Sequence, residues 1–170
     1  MGPTETPTVV LDAGPLIHLD ELKCLDLLAD FPSVLVPDEV WNEVRRHRPQ
    51  ALEIPPFKLQ RRTVPPAPPN FAALFKAFSL GAGEQSALVC LSAIPDAILL
   101  TDDAAARLVA QAFHLRAHGT VGILLRSIRR GQRSRAEILD LLRRLPDIST
   151  LHLRSTLRHQ IIEEVTNQED

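Results

Sequence analysis

Thr8-Val9-Val10-Leu11-Asp12-Ala13-Gly14-Pro15-Leu16-Ile17 is the stretch on which the reading of this chain turns. Its apolar, β-branched opening predicts a buried parallel strand over 8–11, ending at Asp12 and turning through Gly14-Pro15. Leu16, Ile17, Leu19, Leu22, Leu25, Leu27 and Leu28 follow at mainly helical spacing. A carboxylate therefore stands where a strand hands over to a helix. In open α/β sheets, ligands collect at that end of the strands.

The same alternation continues along the chain. Val34-Leu35-Val36 reads as a second strand, stopped by Pro37. A helix starts there, with Asp38 and Glu39 complementing the positive end of its dipole and Val40, Trp41 and Val44 on its inner face. Residues 49–69 are proline-rich, interrupted over Phe57 to Val64 by a short strand suited to a sheet edge. Helices are expected over Phe71 to Phe78 and after Gly81-Ala82-Gly83. A strand over Ala97 to Leu100 leads into a helix from Asp103, with Leu108, Val109, Ala112 and Phe113 inward. Leu115 to Ala117 is short enough for a further strand.

Gly119-Thr120-Val121-Gly122 opens another helix, which Gly131 terminates. Ser134 and Glu137 predict a capping box for the next, with Ile138, Leu141, Leu142 and Leu145 on one face. The final helix carries Leu153, Leu157, Ile161 and Val165 as a narrow stripe. Strands alternating with helices predict an α/β fold whose mainly parallel sheet of four to five strands is covered on both faces. One domain spanning 1–170 is expected, with its core over 8–131 and a helical extension over 132–166.

No apolar run approaches the ~18 residues of a membrane span. The polar start, Met1 to Thr8, lacks the pattern of a secretory signal. Cys24 and Cys90 fit buried thiols, and a cytoplasmic location is expected. The net charge of −2 gives no global field for nucleic acid. Arginines nevertheless crowd the C-terminal part, where Arg126, Arg129 and Arg130 are candidates for RNA phosphate contacts, because the guanidinium fork donates two parallel hydrogen bonds. A solvated helix surface accounts for them equally well.

Asp12, Glu43, Glu84 and the pair Asp102-Asp103 each lie at a strand end or in an early helical turn. Asp12, Asp102 and Asp103 also suit helix N-caps, Glu84 suits a helix dipole, and Glu43 suits a solvated surface. Glu84 shares a face with Leu88 and Leu91, however, and an inward carboxylate needs a partner. Carboxylates drawn within ~4–6 Å of one another repel, and a cation relieves the conflict. The six histidines have no cysteine partners at zinc spacing, so all-oxygen ligation points to Mg²⁺ or Mn²⁺. Metal-assisted phosphodiester hydrolysis is the chemistry this set best supports. A phosphoacceptor receiver domain needs a lysine after a late strand, whereas Lys23, Lys58 and Lys76 all precede the strand at Ala97 to Leu100.

At these residues the chain resembles the PIN-domain family. Val9 to Ile17 is similar to that family's opening strand and first acid. Val36 to Val44 is similar to its second motif, whose acid falls on Glu43. Gly83 to Leu88 is similar to its third, with Glu84 where many members carry Asp. Leu99-Leu100-Thr101-Asp102-Asp103 is similar to the Thr-x-Asp motif, which selects Asp103, although Asp102 lies nearer the strand end. Residues 119–125 resemble a prokaryotic subfamily related to the VapC-like nucleases.

The resemblance implies a three-layer α/β/α sandwich and Mg²⁺- or Mn²⁺-dependent ribonuclease activity. It also implies a homodimer and, frequently, a toxin neutralised by a small antitoxin. The catalytic set would be Asp12, Glu43, Glu84, Asp103 and Asp102, with Asp12, Glu84, Asp103 and Asp102 as metal ligands. With 4% aromatic residues and no Tyr, readout of RNA bases by stacking is not expected. The alternative reading is a PIN-like fold kept as a weak or inactive module that captures RNA or protein.

Overall fold

The computed structural model describes residues 6–53 and 59–168. Five parallel strands form one sheet: β1 (Val9–Leu11), β2 (Val34–Pro37), β3 (Leu59–Arg62), β4 (Ile98–Leu100) and β5 (Arg116–His118). Their order is β3-β2-β1-β4-β5. Register pairs Val9 with Val34 on one side and with Ile98 on the other. Eight α-helices accompany them among the described residues: α1 (Ala13–Glu21), α2 (Asp38–His47), α3 (Pro69–Ala77), α4 (Ala82–Ser92), α5 (Ala104–Ala112), α6 (Thr120–Arg129), α7 (Arg135–Ile148) and α8 (Ser155–Asn167). The result is a three-layer α/β/α sandwich, as expected.

The central strands are the apolar ones. Val9, Val10 and Leu11 are fully buried, and Leu99 and Leu100 nearly so, because helices cover both faces of the sheet. The edge strands are polar. β3 reads Leu-Gln-Arg-Arg and β5 reads Arg-Ala-His, both partly exposed. Of the predicted strand over Phe57 to Val64, β3 covers Leu59–Arg62, Thr63 and Val64 follow it outside the sheet, and Phe57 and Lys58 lie outside the described residues.

From β1 the chain crosses through α1 to β2 on one side, while β4 enters on the other. The connections thus diverge at the carboxyl ends of β1 and β4, where α/β sheets open a crevice. The Asp12 amide donates to Leu100 O at 2.9 Å and closes that seam.

Two helix faces differ in part from expectation. In α5, Val109 is buried as expected, but Leu108 is 54% exposed, Ala112 is exposed, and Ala106 and Ala110 complete the inward face. The inward stripe is drawn by small alanines, which carry little weight in a hydrophobicity pattern. In the stripe expected for the final helix, Leu153 precedes α8 and Leu157 is 45% exposed; Val165 is the buried residue of that helix, which packs on α7.

Helix ends explain why boundaries were harder to read than elements. α1, α3 and α5 stop at left-handed residues that are not glycine: Lys23 (φ 56°), Ser79 (φ 51°) and His114 (φ 57°). In each, the next amide reaches back across the turn, as in Leu115 N–H to Ala110 O at 2.9 Å, the Schellman pattern. Gly131 (φ 67°) ends α6 in the same way with the residue type that fits. Replacing exposed His114 by Gly is expected to stabilise the protein by about 0.5–1 kcal/mol, strain relief outweighing the added freedom of the unfolded chain. A urea midpoint that stays unchanged or falls would contradict this.

Candidate metal centre

Asp12 caps α1 at the carboxyl end of β1. Its Oδ1 accepts the Ala13 amide at 2.8 Å, and its Oδ2 accepts the Thr101 hydroxyl at 2.7 Å. Only 5% of Asp12 is exposed. Burial, opposed by the Thr101 bond and reinforced by the charges of Glu84 and Glu43, pushes its carboxyl up to about 7. A carboxylate this poorly solvated favours a proton or a cation.

Thr101, fully buried at the end of β4, has two tasks. It donates to Asp12, and its oxygen accepts the Asp103 amide at 3.1 Å. The first and fourth acids are thereby tied through one hydroxyl. Asp103 caps α5 by accepting the Ala106 amide at 2.7 Å, and is otherwise exposed.

Asp102 behaves differently. Its Oδ1 accepts the Thr120 amide at 2.7 Å, while Oδ2 takes the Thr120 hydroxyl at 2.5 Å and lies 2.7 Å from His18 Nδ1. Burial alone would raise its carboxyl, but His18 and Thr120 outweigh that and hold it below the usual range. Asp102 thus ties the last turn of α1 to the start of α6.

Glu43 approaches from α2 and is pushed up by burial and by the charge of Glu84. Glu84 occupies the first turn of α4 and leans back over Gly81, where an added Cβ would meet its carboxylate. Neither glutamate has an ion-pair partner among the described residues. Gly83 brings the α4 backbone beside both acids: a Cβ there would lie 2.8 Å from Glu43 Oε2 and 3.7 Å from Asp12 Oδ1. Gly83→Ala is expected to leave folding nearly intact, because the flexible end of Glu43 can give way, yet to lower metal affinity ~10-fold. Calorimetric Mn²⁺ titration checks this; unchanged affinity refutes it.

All five acids line one cleft of about 350 Å³, together with His18, Thr150, Leu151 and His152. Among the described residues no Lys or Arg lines it, and of the five acids only Asp102 has an ion-pair partner, His18. Among the described residues, no three His, Cys, Asp or Glu side chains are gathered closely enough to form a finished ion cage. The donors nevertheless fit a hard divalent ion that keeps part of its water shell, as Mg²⁺ does.

Sequence reading did not foresee the roles of His18, Thr120, Thr150 and His152. Thr120 was visible as part of a helix-opening turn. The others depend on contacts from distant segments. Glu21 at the end of α1 accepts the Ser149 hydroxyl at 2.7 Å, the Thr150 amide at 2.7 Å and the Thr150 hydroxyl at 2.9 Å. This clasp sets the α7–α8 connection along the cleft. Arg126 and Arg130 pair with Asp30 and, with Arg129, line a different concavity.

A parallel α/β sheet with clustered acids at its switch point agrees with the nuclease-type, generally metal-dependent fold that the family comparison gives. The family comparison is specific: the model of the PIN domain matches residues 8–167, and the chain belongs to that family. The match runs beyond residue 131 and takes in α7, α8 and the connection that lines the cleft. No curated protein and no solved structure matches the chain. No helix among the described residues is long and apolar enough to cross a membrane.

Proposed function

We propose that this protein is a Mg²⁺- or Mn²⁺-dependent endoribonuclease acting on single-stranded RNA. The observation that carries the reading is buried Asp12, held by Thr101 and Ala13 and pressed by Glu84 and Glu43, in a cleft that no Lys or Arg lines among the described residues. Asp12, Glu84 and Asp103 would hold the ion directly or through water, with Glu43 beside them. Asp102, saturated by Thr120 and His18, positions α1 and α6. A divalent ion in this cleft supplies Lewis acidity and a more acidic water for attack on phosphorus. Thr101 keeps Asp12 oriented, and Gly83 leaves room for the acids beside the backbone.

The experiment is Mn²⁺-dependent cleavage of mixed single-stranded RNA by the wild-type protein and by Asp12→Asn. Cleavage that requires the metal and vanishes in the variant supports the proposal. Equal activity, or none in either together with no detectable metal binding, overturns it. The second reading, a non-catalytic binding module, draws support from Glu84, which leans over Gly81 rather than completing a cage. RNA retention without cleavage or metal binding would favour it.

A homodimer and an antitoxin partner belong to the same proposal. Exposed Leu157 on α8 is a starting point for mapping either contact. Light scattering tests the dimer, and a small reading frame adjoining the gene tests the toxin role.

A further inference from the structure

A second concavity, of about 440 Å³, lies between α6, β5 and the segments that lead into β1 and β2. It stands apart from the acidic cleft. α6 begins at Thr120, which is bonded to Asp102, and its ten residues carry the chain about 15 Å to Arg129. Phe31, Ile98 and Ile123 contribute an apolar floor, while Arg116, His118 and Arg129 contribute basic walls.

The charge here is unbalanced. Asp30 is the carboxylate that answers Arg126 and Arg130, the latter at 3.0 Å. Arg126 is also held over the Phe31 ring, 4.6 Å from its centroid. Arg116 donates to the backbone carbonyl of Asp96, which carries no formal charge. Arg129 has no ion-pair partner among the described residues. Four guanidiniums thus face one carboxylate. Partial burial, then the nearby charges of Arg116 and Arg129, push the His118 imidazole below its usual value, so these cations act on one space.

We propose that this concavity is a phosphate-binding site for a nucleotide unit, with the phosphate held by Arg116 and Arg129 and the sugar–base portion resting on the apolar floor. Arginine forks suit phosphate oxygens, and an apolar floor raises the strength of each charged contact by excluding water. The nucleotide unit is either a free mononucleotide or part of an RNA strand. The site makes no use of the acids, so the assignment stands apart from the proposed cleavage.

The test uses the full chain carrying Asp12→Asn, metal-free, so that RNA survives the measurement. Inorganic phosphate, adenosine 5′-monophosphate and a short single-stranded oligoribonucleotide are titrated while the His118 ring resonances and fluorescence anisotropy are followed. The expected result is a saturable His118 shift. Arg116→Ala and Arg129→Ala should each weaken binding ~10-fold and lower the salt slope of the oligonucleotide by roughly one.

Comparable affinity for the mononucleotide and the oligonucleotide identifies a free nucleotide as the ligand, whereas much tighter oligonucleotide binding identifies an RNA strand. Absence of any His118 shift, or unaltered binding and salt slope in the Arg116→Ala, Arg129→Ala double variant, overturns the site. Both arginines are exposed, and melting curves confirm that the variants fold. Equal cleavage by wild type and Asp12→Asn, or cleavage by neither, would leave this outcome untouched, and the reverse also holds.

Discussion

Replacing Asp12 by Asn is expected to make the metal-free protein more stable at pH 8 while abolishing metal-dependent cleavage. The folded-state carboxyl is raised to about 7, whereas an unfolded Asp ionises near its ordinary value of 3.8. Between those values the folded chain holds a proton that the unfolded chain has released, so stability falls as pH rises through the window. Below it both states are protonated, and above it both are ionised. A shift of this size corresponds to about 4 kcal/mol.

The variant removes that slope at the price of about 1 kcal/mol from a poorer fit to the Ala13 amide and the Thr101 hydroxyl. Glu43 is shifted in the same direction and adds to the wild-type slope, whereas lowered Asp102 acts at more acidic pH. Mn²⁺ should restore wild-type stability at pH 8 and do little for the variant, since a ligand stabilises only the state that binds it. Urea midpoints from pH 4.5 to 8, with and without Mn²⁺, provide the measurement. Parallel profiles for the two proteins would show that the buried carboxyl is not raised.

Asp102 and Asp103 should separate cleanly despite their adjacency. Asp102→Ala strips the partner from the Thr120 amide, the Thr120 hydroxyl and His18 at once, and is expected to cost about 3 kcal/mol. Asp103→Ala loses one capping bond to Ala106, about 1 kcal/mol, yet should abolish Mn²⁺-dependent cleavage. Denaturation of both variants together with RNA cleavage checks the contrast. Similar stability losses would mean that Asp102 does not bind α1 to α6; full activity in Asp103→Ala would remove it from the metal set.

The alternation of strand and helix was legible because the buried strands are runs of Val, Ile and Leu, which have no other economical use in a chain of this size. The acids were legible through their position: Asp12 follows a strand and Asp103 starts a helix whatever the details of packing. Three matters were not. Whether Asp102 or Asp103 keeps its carboxylate free of other partners depends on Thr120 and His18, which approach from other helices. The inward face of α5 is set by Ala106 and Ala110, too small to mark a stripe against Leu108. The arginines of α6 look like companions of the acids in sequence, but α6 runs away from Thr120 and carries them to another face.

The bonds from Glu21 to Ser149 and Thr150 bridge 128 and 129 residues. During synthesis, β1, β4 and their acids emerge well before the stretch that completes the cleft wall. Chain synthesis proceeds at ~5–20 residues per second. The ribosome therefore releases this centre in order: acids first, and their final enclosure seconds later.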